Sequence, residues 1–114
     1  GEGEGEGEGE GEGEGEGEGA ITHTVTSTDG SMDFSPADLV ISVGDTVRFE
    51  MSATHNAVEV SEATYDSRGT DALEGGFYVD FGQTGEVLFE EPGVHYYVCT
   101  PHVRIDMIGT ITVE

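Results

Sequence analysis

The chain has 114 residues and a formal net charge of −22 at pH 7, with 25 Asp and Glu against three Lys and Arg together. Phosphate binding needs clustered cations, so this balance excludes nucleic acid as a partner and favours basic protein surfaces. The one cysteine cannot form an internal disulfide, which leaves a buried thiol, a nucleophile or a metal ligand.

Residues 1–19 alternate strictly between Gly and Glu. This stretch has no apolar side chain to bury and nine like charges, so it cannot offset the entropy lost on ordering. It is expected to be a disordered tail: an engineered spacer on the plain reading, a natural acidic linker to a membrane anchor on the other. The chain contains neither a secretory signal pattern nor a membrane-length apolar run, so a soluble, mature, extracytoplasmic form is expected. Residues 20–114 suffice for one core, and their 16 acidic residues against three arginines leave a charge of about −13. Abundant Asp and Glu without Lys resembles the acidic proteins of salt-loving organisms. A melting temperature that ignores salt would count against that reading.

From Ala20 onward the sequence reads as β-structure. AITHTVTS alternates, with Ile21 and Val25 on one face and Thr22, Thr24 and Thr26 on the other. TDGS marks a turn. SPADLVISVGDTVRFEM predicts a strand with Leu39, Ile41 and Val43 on one face, a tight turn at Gly44-Asp45, and a strand with Val47, Phe49 and Met51 together. HNAVEV places Val58 and Val60 on one side. Residues 61–76 lose alternation and read as a long loop with at most one short helical turn. FYVDF, GEVLFEE, VHYYV and IGTITVE supply further strands. Seven or eight short strands between turn signals, with no amphipathic helix of three turns, predict an all-β antiparallel Greek-key sandwich or barrel.

The chemistry gathers in CTPHVRIDM, residues 99–107, where Cys99, His102 and Met107 share one loop between two strands. Three donors need a fourth. His55, in THNAVEV at a strand end, is placed to reach a neighbouring loop. His95 shares parity with Cys99 but lies four residues back, over a dozen ångströms at roughly 3.4 Å per residue, and reads as a core or rim histidine. His23 reads as structural or exposed. Two imidazoles and a thiolate in a plane, with a weak axial thioether, are what a blue copper site needs. Thiolate and thioether suit Cu(I) and imidazole tolerates both oxidation states, so a rigid scaffold lets an electron move with little rearrangement.

GVHYYVCTPHVRIDMIGTITV resembles the cupredoxins, particularly the plastocyanin and pseudoazurin type, which carry Cys-x-Pro-His, Met five residues on, and a Gly-x-Ile-x-Val closing strand. LVISVGDTVRF is similar to that family's strand–Gly-Asp–strand hairpin and THNAVEV to its His-Asn copper loop, so the resemblance spans residues 20–114. It implies a cupredoxin-like fold and one copper per chain, with His55, Cys99 and His102 as equatorial ligands and Met107 as the axial one. It implies that Asn56 ties the histidine loop to the cysteine loop near Thr100. Pro101 would withhold an N–H from the cysteine sulfur, and His102 would pass electrons at the surface. Redox proteins would dock near His102 on a monomeric carrier. The VRID segment departs from the family: Arg104 and Asp106 place charges beside the exit route and bear on the Met107 contact. The family's use of a carboxylate ligand in some members draws attention to Glu59, but Met107 already fills the axial role.

The implied function is a soluble electron carrier cycling between Cu(I) and Cu(II), not an enzyme. Small-molecule chemistry, for example with nitric oxide at an open axial position, is the alternative. Cys-His nucleophilic catalysis is disfavoured because Pro101 removes a backbone donor beside the thiol and no helix N-terminus offers an oxyanion hole. Storage would need a second Cys/Met cluster. Zinc also fits Cys and His donors and could occupy the same site silently.

Overall fold

The alternating segments fold as strands because their apolar faces meet across a common core. The computed structural model describes residues 20–114; the Gly-Glu stretch 1–19, expected above to be a disordered tail, lies outside the described residues. Eight strands follow in order: β1 Thr22–Thr26, β2 Asp38–Ile41, β3 Thr46–Glu50, β4 Ala57–Val60, β5 Tyr78–Val79, β6 Thr84–Leu88, β7 Gly93–Val98 and β8 Ile108–Val113. They form a three-stranded sheet, β1-β3-β6, and a five-stranded sheet, β2-β8-β7-β4-β5. The two sheets enclose one core, the β-sandwich that the sequence predicts.

The sheets are mixed rather than wholly antiparallel. β1 runs parallel to β3 and β2 parallel to β8, while the other pairings are antiparallel. The Gly44-Asp45 turn therefore closes no hairpin. It carries the chain from β2 in one sheet to β3 in the other, with Gly44 at φ +95°, where a side chain would be strained. Buried Asp45 holds the crossing: its carboxylate accepts from the N–H groups of Ile21 and Ser42 and pairs with His23 Nε2 at 2.9 Å. His23 thus has a structural role.

Val47, Phe49 and Met51 face the core together, and Val25 joins them. Ile21 and Val43 remain exposed because each lies just beyond the paired part of its strand. Phe49 stacks on Phe77 at 4.9 Å and meets the edge of Tyr97 at 5.4 Å. Burying each such side chain contributes roughly 1.5–3 kcal/mol. Gly109 is demanded by this packing: a Cβ there would overlap the end of the Tyr97 ring and come within 2.8 Å of the Ala37 carbonyl oxygen.

β4 is buried on both faces, so alternation alone does not place its side chains. Ala57 faces the sandwich core. Val60 packs on the outer face with Val98 and Val103, beneath Tyr65 and Tyr96. That outer face is covered by helix α1, Glu62–Asp66, the short turn within segment 61–76. Ser61 caps it, accepting from the Thr64 N–H at 3.1 Å.

Candidate metal centre

β7 delivers Cys99 to one end of the sandwich, and the next residues form a 3-10 helix, Thr100–Ile105, rather than an open loop. Pro101 sits in its first turn, where a missing N–H costs no helical bond. The helix ends on Asp106 in the left-handed region, φ 69°, whose N–H reaches the His102 and Val103 carbonyls. This reversal brings Met107 back beside Cys99: the Cys99 N–H donates to the Met107 carbonyl at 3.0 Å, and the Met107 N–H to the His102 carbonyl at 3.3 Å. One backbone loop thereby fixes three donor side chains.

His55 arrives from the segment between β3 and β4. Its neighbour Asn56 stitches the two segments together. Asn56 Nδ2 donates to Thr100 Oγ1 at 3.1 Å, and the Thr100 N–H donates to Asn56 Oδ1 at 2.9 Å. The result is a buried convergence. His55 Nδ1 and His102 Nδ1 lie 3.2 Å apart, and Cys99 Sγ stands 3.7 Å from the first and 3.4 Å from the second. His55, Cys99 and Met107 are fully buried, while His102 is half-buried. Met107 lies near the other three donors.

A carbonyl only accepts, so the 2.8 Å contact from His55 Nε2 to the Thr28 oxygen places the imidazole proton on Nε2. In the neutral ring, Nδ1 then carries a bare lone pair aimed at two other donor atoms. Burial pushes the Cys99 thiol up, against smaller lowering contributions from the Asn56 and His102 backbone. Sulfur and imidazole lone pairs converging on one largely buried point suit a soft, cationic occupant that displaces the thiol proton. The donors present fit copper.

The Thr28 contact was invisible in the sequence, because a backbone carbonyl carries no side-chain signature. The 27–29 turn is itself pinned to the His55 segment, through Ser27 Oγ to the Ser52 N–H at 3.2 Å and Thr54 Oγ1 to Asp29 at 3.0 Å. Asp106 pairs with Arg68 at 2.8 Å, a partner in the 61–76 segment that the sequence did not suggest.

The remaining candidates lie elsewhere. Glu59 shares strand parity with His55 but faces His95: Glu59 Oε2 and His95 Nδ1 are 2.6 Å apart, and Glu59 Oε1 accepts from the Phe77 N–H. Both line a cavity of about 380 Å³ with Phe77 and Phe89, and none of the three converging donors borders it. Among the described residues, the one cluster of three or more His, Cys, Asp or Glu close enough to share an ion is His55, Cys99 and His102.

A β-sandwich that gathers a buried thiol, two imidazoles and a buried thioether at one end has the donor set of a small copper protein. Comparison with known proteins agrees. The family described as copper binding proteins, plastocyanin/azurin family, matches residues 21–114. Halocyanin of Natronomonas pharaonis is 36% identical over 84 residues, covering 71% of this chain and 48% of that protein. The major chloroplastic plastocyanin of Arabidopsis thaliana is 33% identical over 98 residues, covering 75% and 54%. The chain thus spans about half the length of these curated relatives. Among solved structures, a pseudoazurin from Sinorhizobium meliloti superposes with a TM-score of 0.64 at 27% identity, covering 82% of this chain and 74% of that one. An amicyanin mutant in its reduced state gives 0.57 at 32% identity, covering 84% and 83%. The chain belongs to the plastocyanin/azurin family of copper-binding proteins.

Proposed function

We propose that residues 20–114 form a mononuclear copper electron carrier in which His55, Cys99, His102 and Met107 hold one copper ion. The observation that carries this reading is the convergence of two imidazole Nδ1 atoms and one thiol within 4.8 Å of one another, with Met107 buried beside them. Bound copper supplies a one-electron couple between Cu(I) and Cu(II).

The protein's part is to keep the donors still while charge changes. The Thr28 carbonyl fixes the His55 ring, the Asn56–Thr100 pair locks one ligand segment to the other, and Pro101 withholds a backbone donor from the sulfur. Preorganised donors lower the rearrangement that electron transfer requires. His102, the one half-buried donor of the three, is the exit toward a redox partner. The acidic surface favours a partner with a basic docking face. The carrier acts as a monomer in an extracytoplasmic compartment, and no helix among the described residues is long and apolar enough to cross a membrane. Full burial of Met107 favours the carrier over small-molecule chemistry at an open axial position.

Copper(II) titration of the apo protein, followed by visible absorption and EPR, tests the reading. Intense visible absorption with a small copper hyperfine splitting is expected, and Cys99→Ala should abolish the colour. A pale complex with a large splitting, or a coloured Cys99→Ala variant, refutes it.

A further inference from the structure

Two residues other than glycine have positive φ among those described, Arg68 at 60° and Asp106 at 69°, and they are bonded to each other. They are 38 residues apart in sequence. Arg68 ends the α1 segment, and Asp106 ends the 3-10 helix immediately before Met107. The Arg68 Nε donates to Asp106 Oδ1 at 2.8 Å and its Nη1 to the Tyr65 carbonyl at 2.7 Å, while its guanidinium lies 5.6 Å from the centre of the Tyr65 ring. The arginine is therefore oriented by its own segment before it reaches the donor loop.

The left-handed turn at Asp106 decides where Met107 goes. Its N–H closes on the His102 and Val103 carbonyls, and the next N–H, that of Met107, returns to His102. Left-handed backbone is unfavourable for a residue with a Cβ, although Asp tolerates it better than most. An external hold on the Asp106 side chain biases the turn toward that conformation. The pair is solvent-exposed, with side-chain accessibilities of 34% and 71%, so its worth as a stability contact is small. Its leverage is positional, one residue from a buried donor.

We propose that Arg68 is a positioning residue for the metal centre: through its ion pair with Asp106 it sets the approach of Met107 and so the reduction potential of the copper. This rests on the copper-carrier reading above. Because the pair is exposed, salt weakens it, and the potential of the native protein then depends on ionic strength.

For Arg68, charge and position predict opposite signs, which makes the inference testable. Removing a nearby cation favours the more highly charged Cu(II) and lowers the potential, whereas removing an anion raises it. Thioether sulfur binds Cu(I) well, but as an added fourth donor its electron density stabilises the more highly charged Cu(II) more, so loosening Met107 through Arg68→Ala or Asp106→Ala should raise the potential, toward that of Met107→Leu. For Arg68→Ala the expected change is about threefold in relative Cu(I) to Cu(II) affinity, equal to about 28 mV at 59 mV per decade for one electron. Voltammetry and EPR on the copper-loaded full chain should show this rise and an altered EPR signature. Salt also screens the acidic surface and raises the potential of both proteins, so the native potential should climb more steeply with salt than that of Arg68→Ala, and the rise caused by the substitution should disappear in a Met107→Leu background. A fall or no change in Arg68→Ala, an equal rise in the Met107→Leu background, or equal salt slopes in native and Arg68→Ala protein overturns the proposal. Should Arg68→Ala fail to fold, Asp106→Ala compared in the native and Met107→Leu backgrounds decides, because a pure charge effect survives the loss of Met107 and a positional one does not. Native protein that lacks thiolate-to-copper absorption would instead overturn the carrier reading itself, together with this one.

Discussion

Asn56→Ala tests whether the two donor segments are held by one side chain. Asn56 is 2% exposed, so water cannot replace what is removed. The substitution strips the acceptor from the Thr100 N–H, bonded at 2.9 Å, and the donor from the 3.1 Å bond to Thr100 Oγ1. An unsatisfied, largely buried N–H costs about 1–3 kcal/mol and a lost neutral hydrogen bond about 1 kcal/mol, giving about 2–4 kcal/mol in all. For a domain of this size each kcal/mol lowers the melting temperature by about 4–8 °C, so a drop of about 8–32 °C is expected. The apo protein, followed by far-UV circular dichroism, isolates this from metal binding. Thr100→Val keeps the backbone bond and loses the hydroxyl, so it should cost less, about 4–8 °C. A drop below about 4 °C for Asn56→Ala, or a larger drop for Thr100→Val, would mean that the segments are held chiefly by their neighbours and that the Asn56 bridge is incidental.

Gly109→Ala forces a Cβ into the Tyr97 ring and toward the Ala37 carbonyl, both in packed regions. Overpacking of this kind costs about 1–3 kcal/mol, so a melting temperature within about 3 °C of the native value would show that β8 can yield at this point. Asp45 titrates in the opposite direction from what burial alone dictates. Burial raises its pKa, but the bonds from His23, the Ser42 N–H and the Ile21 N–H outweigh that and leave it below its ordinary value of 3.8. A depressed carboxylate contributes stability that is fully present above the unfolded pKa and lost as pH falls through the folded one. Asp45→Asn should therefore be less stable than the native protein at pH 7 in urea unfolding, with the gap closing at acid pH below 3.8. A gap that stays constant with pH would assign its cost to geometry rather than charge.

Much of this molecule is legible from local pattern, and what escapes is non-local for identifiable reasons. The β3 face of Val47, Phe49 and Met51 is readable because one side of that strand is core and the alternation is clean. β4 defeats the same rule, since α1 covers its outer face and leaves Val58 and Glu59 both buried on opposite sides. Parallel pairing of β1 with β3 and of β2 with β8 has no periodic signature, because a strand carries the same alternation whichever way its neighbour runs. The site divides along the same line. Cys99, His102 and Met107 lie in one short stretch and carry distinctive side chains, so their chemistry can be read at once. What surrounds them cannot: the Thr28 carbonyl that holds the His55 ring has no residue identity, and Arg68, proposed above to position Met107, reads in the sequence only as a charge in a polar segment until the fold carries it across to Asp106. The donors are written in residue type and their aim in topology.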